Sequence, residues 1–383
     1  MRRLAIPFLL GLLVSACAAD QPLGPLDAAF SKGPPAHASA GGRKDVKVMT
    51  RNLYLSASIG PVIGSTSLQQ VVGNSTVAWS IAQASDIPGR MQAVADEIVE
   101  AKPDLVGLQE VTLWRTQFPG DAHVGGVPAT TVAYDFLELL LAALEAQGEH
   151  YVVAASVTNF DAEVPTLTPG DPRLTDVRLT DRDVILARAD LETRNPMGAQ
   201  YQTSIPLLLG GAIPLVIPRG WTSVEAKFRG EWFRFVNTHL ELESPAVFGQ
   251  VQVAQANELR QLLATEALPV IFVGDINSDA LGRTTPTYGL LRTAAGFADA
   301  WSDANPGDPG FTSGHAENLR NEVSAPASRI DVVLYRNGSG LLTSQSATLV
   351  GGDPAKRTAA GVWPSDHLGV IATIRLGNPR FLP

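Results

Sequence analysis

The sequence predicts an α/β fold of the layered-sandwich type. Apolar, strand-like runs such as Leu105-Val106-Gly107-Leu108 and Val270-Ile271-Phe272-Val273 are mixed with helical stretches that are apolar on one face. The two kinds do not alternate strictly as strand, helix, strand, which favours packed sheets over a doubly wound one. Polar residues stand directly after several of the apolar runs, where separate loops on a rigid scaffold meet to build a site.

The N-terminal residues carry an address rather than a fold. Arg2 and Arg3 precede an apolar stretch, residues 4–14, that is too short for a standard membrane span. Val14-Ser15-Ala16-Cys17 looks like a bacterial lipobox, in which Cys17 is lipidated; an ordinary cleaved leader is the alternative. Residues 1–17 are therefore expected to be a lipoprotein-type signal. Residues 18–43, rich in Pro, Ala, Gly and Ser, are expected to be a flexible tether. Residues 44–383 then form the folded domain. Localisation follows as an expectation: exported, and anchored by lipid in the bacterial envelope.

Composition excludes several chemistries. The chain has 1 cysteine, Cys17, so the body holds no intramolecular disulfide framework, Cys-based zinc site or catalytic thiol. The formal net charge is −9, which argues against broad electrostatic capture of nucleic acid. It leaves room for a nuclease, because a bound cation offsets a carboxylate-rich site.

In chain order, Val46 to Met49 alternate as a strand that delivers Asn52. Residues 56–88 read as a long polar connection. A helix follows Pro88-Gly89, with Met91, Val94, Ala95, Ile98 and Val99 on one face, and Lys102-Pro103 stops it. The strand at 105–108 delivers Gln109-Glu110. A second helix is expected over 134–147, ended by Gly148. Strands resume at 151–157 and 183–189, and a hairpin spans 222–236 about Arg229-Gly230-Glu231. That hairpin leads into Asn237-Thr238-His239-Leu240. A helix at 249–264 precedes the apolar strand 269–273, which Gly274-Asp275-Ile276-Asn277 follows. Strands at 330–335 and 370–374 complete the set.

The strand-end residues are chemically consistent with one another. Asn52, Glu110, Asp275, Asn277 and Asp366 offer oxygen or amide groups, which suit a hard cation such as Mg²⁺ or Mn²⁺. His239 and His367 supply proton donors or acceptors near neutral pH. Asp331 is placed to hold a histidine in one tautomer.

Six stretches in this order resemble the endonuclease/exonuclease/phosphatase superfamily. They are Val48-Met49-Thr50-Arg51-Asn52-Leu53, Leu108-Gln109-Glu110-Val111, Asn237-Thr238-His239-Leu240, Gly274-Asp275-Ile276-Asn277, Arg329-Ile330-Asp331 and Ser365-Asp366-His367. The resemblance spans most of the chain and implies a deoxyribonuclease-I-like, four-layered sandwich of two packed mixed β-sheets flanked by helices.

It also implies roles. Glu110, Asn52 and Asp366 would hold Mg²⁺ or Mn²⁺, and Asp275 would be a further ligand or would orient the attacking water. Asn277 would hold the phosphoryl oxygens, His367 paired with Asp331 would be the general base, and His239 would bind the phosphate or protonate the leaving oxygen. The implied activity is divalent-metal-dependent phosphoester hydrolysis, as a phosphodiesterase or nuclease. A sphingomyelinase-like or inositol-phosphatase-like enzyme is the alternative. The substrate would be a nucleic acid, a phospholipid headgroup or a phosphorylated small molecule. No protein partner is implied, and the membrane would be reached through Cys17. A non-catalytic binding lipoprotein is the alternative of another class.

Single residues also have plainer readings. Glu110 alone suits a solvated turn, Asp275 with Asn277 an Asx turn, and Asp331 a pairing with Arg329 or Arg336. Asp181 or Asp183 is expected to orient His239, and Arg182 to contact phosphate. His37, His123, His150 and His315 read as unremarkable, although residues 312–321 border the site in sequence. The apolar run 205–217 reads as a hairpin turning at Gly210-Gly211. Lacking Trp or Phe, it suits packing on the body better than the membrane contact that some bacterial sphingomyelinases make.

Overall fold

Two large sheets pack face to face, and helices cover the outer face of each. The computed structural model describes residues 44–377, and the expected leader and tether lie outside the described residues. The strands are β1 Asp45–Asn52, β2 Leu105–Gln109, β3 Leu113–Gln117, β4 Thr131–Asp135, β5 Tyr151–Thr168, β6 Asp171–Arg188, β7 Glu192–Gln200 and β8 Ile205–Leu209. They continue as β9 Ile213–Ile217, β10 Gly220–Phe228, β11 Glu231–His239, β12 Val270–Asp275, β13 Ala298–Asp299, β14 Asp331–Arg336, β15 Leu341–Val350 and β16 Gly369–Gly377. The main helices are α1 Gly60–Ile63, α2 Leu68–Ala84, α3 Ile87–Ala101, α4 Phe136–Ala146 and α5 Ala246–Leu262.

The first sheet runs β15-β16-β1-β2-β6-β3-β4, with β5 on the other edge of β6; the second runs β13-β14-β12-β11-β10-β7. Both are mixed, since β1 pairs β2 and β11 pairs β12 in parallel among antiparallel neighbours. Strand alternation builds three apolar layers. Val46, Val48, Ile185, Val224, Phe233, Ile271 and Val273 meet between the sheets. Met49, Val106, Leu108 and Leu186 face α3 and α4 through Met91, Ile98, Phe136 and Leu140. Val236, Val270 and Phe272 face α5 through Ala256 and Leu259. The four-layered sandwich expected from the resemblance is the observed architecture.

Gly107 lets the sheets approach. A Cβ there would lie 2.4 Å from Val273 Cγ2 and 2.8 Å from Asn237 Oδ1. Beneath the strand ends, Gln109 Nε2 donates to Asn237 Oδ1 at 2.6 Å, and Asn237 Nδ2 donates to Leu108 O at 3.0 Å. A buried polar bridge with satisfied partners thus joins β2 and β11 across the core.

Three expectations change. Residues 56–88 are no connection: they hold α1 and α2, the latter capped by Ser67, whose side chain accepts from Gln70 N at 3.2 Å. The strands at 151–157 and 183–189 are the two ends of one long hairpin, β5–β6, turning at Gly170 with φ +75°. Run 205–217 is the expected hairpin, with φ +61° at Gly210 and +72° at Gly211, but β8–β9 form a two-stranded sheet of their own. Ile205, Leu209 and Ile217 are buried, while Leu208 and Val216 are exposed. Among the described residues, no helix is long and apolar enough to cross a membrane.

Candidate active site

Strand register assembles the site. In the second sheet His239 pairs with Asp275, and Asp275 with Asp331, so three polar groups stand in one row across three strands. In the first sheet Asn52 pairs with Gln109, which puts Glu110 one residue beyond the same edge. His367 stands just before β16, the antiparallel neighbour of β1. The expected residues Asn52, Glu110, His239, Asp275, Asn277, Asp366 and His367 all line one cleft of about 260 Å³ or touch residues that do. Asp331 is buried behind His367.

Backbone strain marks two of these positions. Glu110 has φ +56° and Asn277 has φ +48°, a region that L-residues adopt at a cost. Asn277 N donates to Asp275 Oδ1 at 2.9 Å, so an Asx turn is present as well as a site.

Asn52 links the carboxylates. Its Nδ2 donates to Glu110 Oε1 and to Asp275 Oδ2, each at 3.1 Å, while its Oδ1 accepts from Tyr54 N at 2.8 Å. Glu110 Oε2 accepts from Leu55 N at 2.6 Å. Glu110 is pushed up to about 8 by burial and then by the charges of Asp366 and Asp181. Asp275 is pushed up to about 7 by burial and then by Asp331.

His367 Nδ1 lies 2.8 Å from Asp331 Oδ2 and 3.7 Å from Asp275 Oδ2. Burial alone would depress its imidazolium. Asp331, Asp366 and Asp275 outweigh burial and hold His367 well above the usual histidine range. Asp331 pairs with neither Arg329, which meets Asp299 at 2.6 Å, nor Arg336, which donates to Leu263 O at 2.7 Å.

His239 behaves in the opposite way. Burial, then Arg219, holds it well below the usual range. Arg219 Nη1 lies 3.2 Å from His239 Nδ1, and Asn277 Nδ2 lies 3.0 Å from Nε2. The expected carboxylate partner is therefore displaced: Arg219 stands between His239 and Asp181, with Nη1 4.0 Å from Asp181 Oδ2 and Nη2 3.3 Å from Glu241 Oε1. Arg182 points away from the cleft, donating to Val111 O at 2.9 Å and Asp135 Oδ1 at 2.6 Å, so it does not take the expected phosphate contact.

Other supports were not anticipated. Arg51 is buried under the Ser365-Asp366-His367 loop, paired with Glu97 at 2.9 Å and donating Nη1 to His367 O. Arg90, also buried, donates to Pro364 O at 3.0 Å and to Leu53 O, tying that loop to the end of β1. His315 stacks on Trp363 with ring centres 4.5 Å apart, and its Nδ1 lies 2.9 Å from Ser365 O. The 312–321 segment therefore borders the site as a brace. No sequence signal marks Arg90 or Arg219, because their partners come from distant segments.

A group of three ligand-type side chains within 4.8 Å of one another comprises Asp275, Asp331 and His367, a different set from Glu110, Asn52, Asp366 and Asp275. The 2.8 Å His367–Asp331 contact is the length of a charge-assisted hydrogen bond, which accounts for that grouping without a cation. On the oxygen-rich side, where Glu110 is raised by burial and by Asp366 and Asp181, a divalent cation would relieve repulsion. The donor set fits such an ion.

The sequence pattern of the endonuclease/exonuclease/phosphatase family matches residues 77–367. The chain belongs to that family. Its members are divalent-metal-dependent phosphoesterases. Solved structures agree in fold. An endonuclease/exonuclease/phosphatase family protein from Leptotrichia buccalis is 14% identical, with a TM-score of 0.51, covering 86% of this chain and 99% of its own. A humanized D. rerio TDP2 is 15% identical, with a TM-score of 0.51, covering 87% and 99%. A mannosyl-6-phosphatase of Bacteroides thetaiotaomicron is 17% identical, with a TM-score of 0.50, covering 86% and 99%. No curated protein matches this member of the family in sequence.

Proposed function

We propose that this protein hydrolyses a small phosphoester with Mg²⁺ or Mn²⁺, using the His367–Asp331 pair as the base. The observation that carries the reading is the 2.8 Å contact between His367 Nδ1 and Asp331 Oδ2 beside the oxygen-rich wall of Glu110 and Asp366. Glu110, Asp366 and Asp275 would hold the cation, with Asn52 bridging Glu110 and Asp275. When bound, the cation would screen the phosphoryl oxygens and the carboxylates facing them.

In its neutral form His367, with Nδ1 held by Asp331, would accept a proton from the attacking water at Nε2. Asp331 stabilises the imidazolium that forms. Asn277 and Arg219 would meet the charge building on the phosphoryl oxygens. His239, held neutral by burial and by Arg219, faces donors at both ring nitrogens, so it would act by fixing Arg219 and Asn277 against the phosphoryl group.

The alternative small-molecule or lipid phosphoester is favoured over nucleic acid by the cleft's charges. Its lining carries Glu110, Asp181, Glu241, Asp275, Glu317 and Asp366 against a single arginine, Arg219. A polyanion needs several free cations along its backbone. The setting we propose is the bacterial envelope, supported by the leader and lipobox pattern ending at Cys17.

Hydrolysis of bis-(p-nitrophenyl) phosphate tests the chemistry. Turnover with Mg²⁺ or Mn²⁺ that chelator abolishes is expected. Absence of metal-dependent turnover across plasmid DNA, sphingomyelin, inositol phosphates and sugar phosphates would return the protein to the binding-lipoprotein alternative.

A further inference from the structure

The polar cleft adjoins an apolar cavity. Ile59, Ile63, Phe160 and Leu179 line both. Beyond them the cavity, of about 50 Å³, is walled by Val62, Ala78, Trp79, Trp114, Val164 and Leu215. Its one hydroxyl, Ser75 Oγ, is already committed to Val71 O at 2.5 Å and Pro165 O at 3.0 Å. A water molecule needs two to four polar partners, so this space suits hydrocarbon rather than solvent. The apolar lining continues along the cleft toward the reacting groups through Ile217, Pro218 and Phe248, and reaches Leu242 at the exposed rim.

A packed core fills such space unless something else occupies it. Trp79 and Trp114, with ring centres 5.4 Å apart, wall it with rigid rings that do not collapse inward. The floor comes from α1 and α2 and the far wall from β5 and β6; of these, α1, β5 and β6 also line the cleft.

We infer that the substrate carries an alkyl ester group, and that its carbon chain runs from the phosphate along Phe160 and Leu179 into this cavity. The inference rests on the phosphoesterase reading and adds the class of group on the phosphate. The volume suits the tip of a chain, on the order of a few methylenes. A lipid and a short synthetic ester share this chemistry.

Calorimetric titration of the full chain with methyl, butyl and hexyl phosphate in Mg²⁺ tests it, alongside phosphate release from each. Affinity should rise about fourfold per methylene between methyl and butyl phosphate, the factor expected for burying each carbon. Ala78→Val and, from the opposite wall, Ala162→Val should flatten that rise while leaving methyl phosphate binding unchanged. Equal affinity for the three ligands in the wild type overturns the inference. So does an unaltered chain-length dependence in both filled variants. Chain-length-dependent binding without phosphate release supports the cavity assignment, and with no turnover of bis-(p-nitrophenyl) phosphate it counts against the hydrolysis reading alone. Vesicles containing a phosphodiester lipid separate the sources: titrated in the same way, vesicles that bind more tightly than hexyl phosphate identify a lipid.

Discussion

His367 and Asp331 stand before or at the starts of strands in different sheets, yet their side chains meet at 2.8 Å. The proposed base and the carboxylate that steadies it therefore come from opposite halves of the sandwich. Neither half alone contains the pair.

Replacing either member should separate chemistry from folding. His367→Ala should lower kcat by about 100-fold to 10,000-fold, the usual range for a general base. Asp331→Asn should lower it by a similar factor and move the acidic limb of the pH–rate profile downward, because Asp331 helps hold the His367 proton. Thermal unfolding of His367→Ala should stay within a few degrees of the wild type. Full activity in His367→Ala would remove the base assignment.

Metal-free stability should depend on pH through Glu110. Burial, then Asp366 and Asp181, raises this group from its ordinary 4.5 to about 8. The folded state therefore holds a proton that the open chain has released. That stabilisation is complete below about 4.5 and is lost as pH rises through about 8. In chelator, Tm should fall between pH 6 and 9, and Mg²⁺ should raise Tm more at pH 9 than at pH 6. Glu110→Gln should shrink both trends. A Tm gain from Mg²⁺ that is the same at every pH would contradict the proposed ligand.

Glu97 should matter although it touches no substrate. It is the buried partner of Arg51, whose guanidinium supports the His367 carbonyl. Glu97→Ala leaves an unpaired buried cation and should cost about 3–5 kcal/mol in urea unfolding. The double variant Arg51→Met with Glu97→Met should unfold later than Glu97→Ala. If Glu97→Ala matches the wild type, the pair is not what anchors the 365–367 loop.

Gly107→Ala tests the contact between the sheets. The added methyl would sit 2.4 Å from Val273 Cγ2, so the sheets must part or Val273 must turn. A loss of about 1–3 kcal/mol is expected from overpacking. Val273→Ala in the same chain should recover part of it, as a double-mutant cycle in denaturant would report.

The strand-end chemistry was legible because it needs little context. An apolar run followed by Asn52, Glu110, His239 or Asp275 is visible in one dimension, and parallel and antiparallel register then brings the ends together. Helix α3 was legible from Met91, Val94, Ala95 and Ile98, all buried as expected. Helix α2 was not. Its buried stripe is Val71, Ser75, Ala78 and Ala82, small residues among Gln, Asn, Ser and Thr, which carry little apolar contrast. Most of β5 and β6 was hidden for a related reason. Beyond the core they are rich in Thr, Asp and Arg, and their pairing is supported by cross-strand contacts such as Arg178 with Asp161. Arg219 was invisible because its meaning depends on His239 and Glu241 at the end of β11 and on Asp181 in β6.

The row His239, Asp275, Asp331 gives the molecule a built-in gauge of correct assembly. A slip of β14 by one residue along β12 would send Asp331 to the opposite face of its sheet and put Val332 behind His367. Such a chain would keep much of its secondary structure and lose its base. Recovered activity after dilution from denaturant should therefore lag behind recovered circular dichroism whenever β14 pairs with β12 out of register.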